Sequence, residues 1–183
     1  MQKVPTLFER DWAGDRSRVT REIHHGCEWV AAGEGHPTRK LDGTCCMIRD
    51  GALFKRRELR KGENAPPAFE AVGFDEETGK TVGWVPVGDG PEDKYHREAF
   101  HGPSIDGTYE LVGPKVQGNP EKWANHQLVA HGSLELQLSN VPRDYEGLSS
   151  FLAEHDYEGI VWHHPDGRMA KIKARDFGIK RDH

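Results

Sequence analysis

Three pairs of short apolar segments, each pair separated by a turn, are the clearest pattern in this chain. In the first pair, residues 44–48 and 52–56 flank Asp50-Gly51, where glycine accepts the positive φ that a two-residue hairpin turn requires. The other two pairs are residues 69–74 with 81–85 and residues 159–163 with 169–173. Short β-favouring runs joined by turn residues are typical of antiparallel hairpins, so we expect three of them.

Helical spacing is confined to two segments, near residues 92–99 and 147–155. In the second, Leu148, Phe151 and Leu152 recur at the interval that places side chains on one face of a helix. Glycine and proline are spread through the chain, and no long repeat or clear linker interrupts it. We therefore predict an α+β fold with mainly antiparallel sheets flanked by helices.

The composition is that of a soluble globular protein. Of 183 residues, 35% are hydrophobic and 30% are charged, and no apolar run reaches the length of a membrane span. The N-terminus lacks the apolar segment of a secretory signal. The three cysteines, of which Cys45 and Cys46 are adjacent, do not make a disulfide framework. We expect a cytoplasmic protein with no membrane partner.

The net charge of −5 argues against nucleic-acid binding over the whole surface. Basic residues are nevertheless concentrated in two stretches, 49–61 and 168–181. This distribution is typical of a protein that handles phosphates in one cleft, and also of a protein with two solvated basic strands. The charge pattern alone leaves both interpretations open.

Five short charged segments follow one another in order along the chain. They are Arg39-Lys40-Leu41-Asp42-Gly43, Lys55-Arg56-Arg57, Tyr109-Glu110-Leu111-Val112-Gly113, Glu158-Gly159-Ile160-Val161 and Lys171-Ile172-Lys173. Each is weak evidence alone, but five in one order are much harder to obtain by accident. The set resembles the nucleotidyltransferase motifs of polynucleotide ligases and mRNA capping enzymes, and it is most similar to those of RNA ligases. The resemblance spans about residues 36–175.

The resemblance implies an ATP-dependent RNA ligase that acts in RNA repair. Its fold would be a single ligase-type nucleotidyltransferase (adenylation) domain over residues 1–183, without an OB-fold. In this family a lysine attacks ATP and releases pyrophosphate, and AMP then passes from the lysine to a 5′-phosphate end. A 3′-hydroxyl displaces the AMP and seals the strand.

The resemblance makes Lys40 the nucleophile and places Thr38 and Arg39 in the same nucleotide-binding segment. A lysine amine attacks phosphate only when neutral, and with a pKa near ~10.4 only about one lysine in a thousand is neutral around neutral pH. Positive charge nearby lowers such a pKa, and Arg39, Lys171 and Lys173 are the cations expected around Lys40. Without the residues that follow it in the sequence, Lys40 would be interpreted as a surface lysine that enters a hairpin.

Nucleotide and metal contacts are implied for four further residues. The resemblance places Asp42 where it orients the lysine or a metal-bound water, and Arg56 where it contacts the ribose or the acceptor phosphate. Neighbouring strand residues face opposite ways, so only one of Arg56 and Arg57 should point toward the ligand. The resemblance to the Lys-Arg pattern of RNA ligases favours Arg56. Glu110 and Glu158 would bind the nucleotide and Mg²⁺ or Mn²⁺, since Mg²⁺ prefers one or two carboxylates with phosphate oxygens and water.

Lys171 and Lys173 are two residues apart on a predicted strand, so both should point to one face while Ile172 and Ala174 face the core. Two lysines on one face are unfavourable unless an anion lies between them. The triphosphate of ATP would be such an anion, which makes both lysines candidates for catalysis and nucleotide binding. An exposed edge strand protected by lysine would show the same pattern.

Three departures from the family pattern refine the prediction. DNA ligases usually carry arginine five residues after the lysine, where this chain has Cys45, and this favours an RNA ligase. The chain stops soon after Lys173, whereas many relatives continue into a domain that binds nucleic acid. We therefore expect RNA ends or nicks, or DNA, as the partner, together with a separate nucleic-acid-binding subunit or domain. The aromatic residue that stacks on adenine is not apparent, and residues 127–131 occupy that region.

Three alternatives stay open. A DNA ligase core or a capping guanylyltransferase would use the same lysine, although the missing OB lobe disfavours capping. A nucleic-acid-binding or regulatory module would keep the fold and lose turnover, and the complete set of motifs argues against it. A small-molecule enzyme with two acid–base carboxylates would leave the paired lysines unexplained and would not bind ATP.

Overall fold

The computed structural model describes residues 1–102 and 104–181, and most of its regular elements are short β-strands. The strands are β1 (Phe8–Arg10), β2 (Val19–Ile23), β3 (His36–Lys40), β4 (Thr44–Arg49), β5 (Ala52–Leu59), β6 (Glu70–Asp75), β7 (Lys80–Pro86), β8 (Gly107–Val112), β9 (Gln127–Ala130), β10 (Gly159–His163) and β11 (Met169–Lys173). The α-helices are α1 (Glu28–Ala31), α2 (Lys94–Ala99) and α3 (Tyr145–Glu154). Short 3-10 helices occupy Pro91–Asp93, Leu134–Leu136 and Ala174–Phe177.

The three predicted hairpins are confirmed as β4–β5, β6–β7 and β10–β11. At the first turn, Asp50 has φ 52° and Gly51 has φ 75°, the left-handed values that such a tight turn needs. The two predicted helices are present as α2 and α3. The chain is therefore a mixed α/β protein with mostly antiparallel sheets and few helices. In the part of the chain that is described, none of these helices is long and apolar enough to cross a membrane.

The chain folds into two compact units. The central unit contains Met1–Lys3 and Asp42–His131, and the terminal unit contains Val4–Leu41 and Gly132–His183. Lys40 therefore belongs to the terminal unit, and Asp42 belongs to the central unit. The expectation of one domain over residues 1–183 stays a prediction.

In the terminal unit, β11, β10 and β3 form a three-stranded antiparallel sheet, and β1 and β2 form a separate hairpin. One face of this sheet is apolar because alternate residues of each strand point the same way. Ile160, Trp162 and Ile172 on that face are fully buried. Leu148 and Leu152 of α3 belong to the same core, so the apolar face predicted for this helix is the one that packs inward.

The outer edge of β11 is covered by the N-terminal segment. Leu7 N–H donates to the Lys171 carbonyl at 2.7 Å, and Lys171 N–H donates to the Pro5 carbonyl at 2.9 Å. Thr6 pairs with Lys171 in a parallel bridge. Because β11 is hydrogen-bonded along both edges here, protection of an exposed edge does not account for its lysines.

Arg143 fixes the turn that leads into β3. Its guanidinium donates to the carbonyls of Val30 at 3.0 Å, Glu34 at 2.5 Å and Gly35 at 2.8 Å. We expect Arg143→Met to lower the free energy of unfolding by about 2–4 kcal/mol, because hydrogen bonds from a charged donor are lost and carbonyls lose their partner. Denaturant unfolding followed by circular dichroism measures this change.

Arg49→Met is the matched control for Arg143→Met, since it removes the same charge from an exposed ion pair with Glu70 in the central unit. Pairs of this kind contribute about 0–1 kcal/mol, so the control should unfold close to the parent. Equal losses in the two variants would contradict the assigned role of Arg143.

The central unit is built on a six-stranded antiparallel sheet in the order β6-β7-β5-β4-β8-β9. Cys46, Ile48 and Leu111 on one face join Ala99 of α2 in a buried core. Neighbouring residues of a strand alternate between faces, and directly paired residues of adjacent strands share one. Glu110 follows this rule and lies on the face opposite that core.

The three cysteines are free thiols, and Cys27 and Cys46 are buried. Burial raises the pKa of the Cys27 thiol to about 11 and raises the pKa of Cys46 as well. Both therefore remain protonated near neutral pH and act as small apolar side chains of the core.

Candidate active site

The predicted lysines lie on the face of the terminal sheet opposite its apolar core. Lys40 pairs with Gly159, and on the other side of β10 Gly159 pairs with Lys173. Thr38 and Lys171, each two residues away along its strand, point the same way. Alternation along β11 placed Lys171 and Lys173 together, and the resemblance implied Lys40 near them. The strand pairing puts Lys40 on their face and adds Thr38.

Glu158 joins two of these lysines. Lys40 Nζ donates to Glu158 Oε2 at 2.8 Å, and Lys173 Nζ lies 3.6 Å from Glu158 Oε1. The three side chains are only 17–22% exposed, so water screens their charges less than on an open surface. Glu158 is therefore the shared acceptor of two ammonium groups.

The charge on Lys173 is unfavourable where it lies. Burial, and next the repulsion from the Lys40 ammonium, lower the pKa of Lys173 despite the attraction of Glu158. The repulsion is mutual, so Lys173 supplies Lys40 with the cationic neighbour that the sequence predicts. A phosphate between the two ammonium groups would relieve this repulsion, because it would give each a second anionic partner.

Gly159 lets β11 approach β10 closely beside the lysines. A Cβ at this position would lie 2.2 Å from the Ile172 carbonyl oxygen and 2.9 Å from the Lys173 Cα. Both neighbours are backbone atoms that cannot turn aside. The glycine of the Glu158-Gly159 segment therefore sets the position of the strand that carries Lys173.

We expect Gly159→Ala to shift β11 and lower the free energy of unfolding by about 1–3 kcal/mol, as overpacking does. Gly88→Ala is the control, because its Cβ would meet nothing closer than 3.6 Å. Thermal unfolding compares the two variants. A Gly159→Ala protein as stable as the control would show that the strands separate without cost.

Arg39 lies on the opposite face of β3 from Lys40. Its guanidinium carbon is 4.6 Å from the centre of the Tyr157 ring, and its cross-strand partner Ile160 is buried in the core. This is a cation–π contact, which holds the arginine against the protein. The role of Arg39 in binding nucleotide stays a prediction.

Thr38 is held by two hydrogen bonds within the terminal unit. The Thr38 hydroxyl donates to the Val161 carbonyl at 3.1 Å. His163 Nε2 lies 2.9 Å from the Thr38 hydroxyl oxygen. A hydroxyl has one proton, so His163 is the donor in the second contact. His163 also stacks on His36 at 5.4 Å. The predicted nucleotide contact of Thr38 stays a prediction. In this structure its hydroxyl is hydrogen-bonded to Val161 and His163.

In the central unit, Glu110 is the end of a short hydrogen-bonded chain. His131 Nε2 lies 2.7 Å from Glu110 Oε2, and His131 Nδ1 lies 2.9 Å from Thr108 Oγ1. The Glu110 side chain is 11% exposed, so the histidine orients a nearly buried carboxylate. The sequence did not indicate this partner, because the contact depends on the pairing of β8 with β9.

Arg56 and Arg57 point to opposite faces of β5, as alternation predicts. Lys55 pairs with Cys46 of the buried core, so Arg56 lies on the other face, which is the face of Glu110. Arg56 and Glu110 therefore share one face of the central sheet, and Arg57 lies on the other. Its contact with ribose or phosphate stays a prediction.

The basic stretch 49–61 is largely paired with acidic side chains of the central unit. The pairs are Arg49–Glu70, Lys55–Asp93, Arg56–Glu58 and Arg57–Glu63. Each basic side chain in these pairs has a carboxylate within 3.0 Å. This half of the charge pattern is thus a set of ion pairs along the strands rather than a continuous phosphate-binding stripe.

Asp42 and Gly43 begin the main segment of the central unit. Asp42 N–H donates to Glu121 Oε1 at 3.4 Å. A Cβ on Gly43 would lie 2.2 Å from the Leu111 carbonyl oxygen and 2.9 Å from Glu110 Cγ, so glycine is required where this backbone passes β8. The role of Asp42 in orienting the lysine stays a prediction.

Within residues 1–102 and 104–181, no three His, Cys, Asp or Glu side chains are grouped to hold a metal ion. Mg²⁺ needs no such cage, because it keeps water and phosphate oxygens as ligands. Glu158 and Glu110 each fit as a single carboxylate donor. A cation at Glu158 would compete with Lys40 and Lys173 for its oxygens, and one at Glu110 would compete with His131.

Comparison with known proteins gives a family-model match over less than half of the chain. The family model of RNA ligase 1 matches residues 102–182. The chain is similar to RNA ligase 1. The Danio rerio RNA ligase 1 is 38% identical over 82 residues, which cover 40% of this chain and 25% of that protein. The Pongo abelii RNA ligase 1 is 27% identical over 220 residues, with 78% of this chain and 67% of that protein covered. The Rattus norvegicus RNA ligase 1 is 32% identical over 82 residues, with 41% and 25% covered.

The similarity confirms the predicted resemblance at the level of an RNA-ligase-like protein. The family match includes Glu110, Glu158, Lys171 and Lys173, and it begins after Lys40. The matched segment amounts to 25% of the length of the Danio rerio and Rattus norvegicus relatives. The chain thus corresponds to only part of these RNA ligases.

Proposed function

We propose that this chain is the nucleotidyltransferase core of an ATP-dependent RNA ligase, which joins 5′-phosphate and 3′-hydroxyl ends through a covalent Lys40–AMP intermediate. The observation that carries the proposal is the meeting of Lys40 and Lys173 at Glu158 on one face of the terminal sheet. The similarity to RNA ligase 1 proteins supports RNA as the substrate class.

Lys40 carries the covalent chemistry in this proposal. Its neutral amine attacks the α-phosphorus of ATP, the N–P bond forms, and the bond to the β-phosphate breaks to release pyrophosphate. Lys40 gives up one proton before the attack and a second as the bond forms. Glu158, which accepts the hydrogen bond from Lys40 Nζ, holds the amine in place until the nucleotide arrives.

AMP then leaves Lys40 in a second step. A 5′-phosphate oxygen attacks the phosphorus of the intermediate, so an O–P bond forms, the N–P bond breaks and the amine is restored. The 3′-hydroxyl of the other strand attacks the activated 5′-phosphate, and AMP departs. Lys173 and Lys171 contribute positive charge on the face of Lys40, where negative charge builds on the transferring phosphate.

Mg²⁺ or Mn²⁺ would be held by Glu158 or Glu110 together with substrate phosphates, and it would neutralise phosphate charge during the transfer. The ligase-type fold, a cytoplasmic site of action in RNA repair, and a separate subunit or domain that binds nucleic acid belong to the same proposal. The similarity to RNA ligase 1 extends over part of those proteins, which is consistent with such a further domain.

The proposal is tested by incubating the purified protein with α-labelled ATP and Mg²⁺ or Mn²⁺, with labelled GTP in parallel. We expect label on the denatured protein band from ATP alone, followed by sealing of a nicked RNA duplex with a 5′-phosphate. Label from GTP would indicate capping chemistry instead. Absence of label in a folded sample free of bound AMP would overturn the proposal in favour of a binding module.

A further inference from the structure

The loop between β1 and β2, residues 11–18, exposes a tryptophan with an arginine beside it. Trp12 is 49% exposed, which is unusual for the largest apolar side chain. The Arg16 guanidinium carbon lies 5.9 Å from the centre of the Trp12 ring. An exposed aromatic ring paired with arginine is a surface on which a nucleic-acid base can stack.

The acidic side chains of this loop are directed at its own backbone. Asp11 accepts hydrogen bonds from the amides of Gly14 at 3.0 Å and Asp15 at 3.2 Å. Asp15 accepts from the amide of Ser17 at 2.9 Å and from its hydroxyl at 2.6 Å. These bonds fix the backbone of the loop that carries Trp12.

The loop is anchored to the segment that follows Lys173. Arg10, at its start, lies 3.0 Å from Asp176 Oδ1, and Asp176 Oδ2 accepts the Lys173 N–H at 2.8 Å. Arg18, at its end, donates to the Phe177 carbonyl at 3.0 Å. The loop that carries the exposed ring is thus anchored to Asp176 and Phe177, which follow shortly after Lys173 at the end of β11.

Cations on the anchoring segment complete the surface. Arg175 and Lys180 are exposed, as is Arg16 in the loop. Arg175 and Lys180 are therefore available to backbone phosphates, while Trp12 is available to a base. A single strand offers both groups at once, because its bases stack on aromatic rings and its phosphates pair with cations.

We propose that Trp12 and Arg16 form a stacking platform for one base of single-stranded RNA, with Arg175 and Lys180 contacting its backbone. This inference rests on the proposed RNA ligase function and adds a strand-binding element outside the nucleotide site. The strand is held by stacking and charge, so the contact is tolerant of base sequence.

The test measures binding of a 5′-phosphorylated, 3′-fluorescein-labelled uridine RNA of roughly 12 nucleotides by fluorescence anisotropy. We expect Trp12→Ala to weaken binding about 5- to 150-fold, as loss of one stacked base does, and Trp12→Phe to recover most of the loss. Arg175→Ala should reduce the dependence of log K on log salt by about one ion. Transfer of AMP from ATP to the protein should be unchanged in Trp12→Ala.

Phe74→Ala is the control, because Phe74 is 64% exposed in the central unit and has no arginine over its ring in the described residues. An affinity for Trp12→Ala within about twofold of the parent would overturn the inference, as would an equal loss in the control. A change in oligomer mass with unchanged RNA affinity would assign the ring to contact between copies of the chain and would also overturn it. The anisotropy measurement needs no catalysis, so it reads out separately from the labelling test of Lys40.

Discussion

Lys40→Arg is expected to abolish covalent labelling from ATP, with a loss of more than about a thousandfold. Arginine keeps a positive charge beside Glu158, so the ion pair that orients this side chain in the terminal unit is preserved. The guanidinium remains protonated at every accessible pH and has no neutral amine with which to attack phosphorus. Quantifying label on the denatured protein band measures the effect.

Lys61→Arg is the matched control for that change, since Lys61 is an exposed lysine of the central unit. It should label at the rate of the parent, and thermal unfolding should show that both variants are folded. Label in Lys40→Arg above a few hundredths of the parent level would mean that another residue carries the AMP, and the proposed mechanism would be wrong.

Lys173→Met is expected to raise stability while lowering AMP transfer by about 100- to 1000-fold. Burial and the Lys40 ammonium make the charged form of Lys173 unfavourable in the folded protein. Methionine keeps an unbranched apolar side chain of similar shape and removes that charge, so Tm should increase. The same change removes positive charge from the face on which phosphate charge builds, so the rate of labelling should fall.

The gain in stability that Lys173→Met gives over the parent should become smaller as pH rises. Since the pKa of Lys173 is lowered in the folded state, the unfolded chain binds more protons between that value and the ordinary lysine value. The parent is therefore stabilised as pH rises through this window, and the advantage of Lys173→Met should shrink toward its upper end. Denaturant unfolding over that range measures the difference. A stability difference that grows with pH would contradict the assigned environment of Lys173.

Local patterns in the sequence predicted the elements of the fold well. The Asp50-Gly51 turn and the alternation of Lys171 and Lys173 with buried Ile172 each depend on residues that are close together in the chain. Such signals follow directly from backbone geometry, which fixes turns and strand faces over a few residues. The hairpin of β1 and β2 was missed, because its eight-residue connection carries no tight-turn signal.

Contacts between distant segments could not be predicted in the same way. The ion pair of Lys40 with Glu158 joins residues 118 positions apart, and it depends on the register of β3 against β10. The sequence placed a cation site at Glu158 but did not indicate that two lysines share its carboxylate. The partnership of His131 with Glu110 likewise follows from sheet order, which short motifs do not encode.

The terminal unit is assembled from two stretches of chain that lie on either side of the central unit in sequence. During synthesis the stretch with Lys40 leaves the ribosome before the central unit, and the strand with which β3 pairs emerges only after residue 158. The continuous segment 42–131 can close its own sheet in the meantime, since domains tend to fold as units in the order in which they are made. The sheet face around Lys40 therefore forms after the sheet of the central unit, and a nascent chain that ends before residue 158 holds the lysine without the strands that surround it.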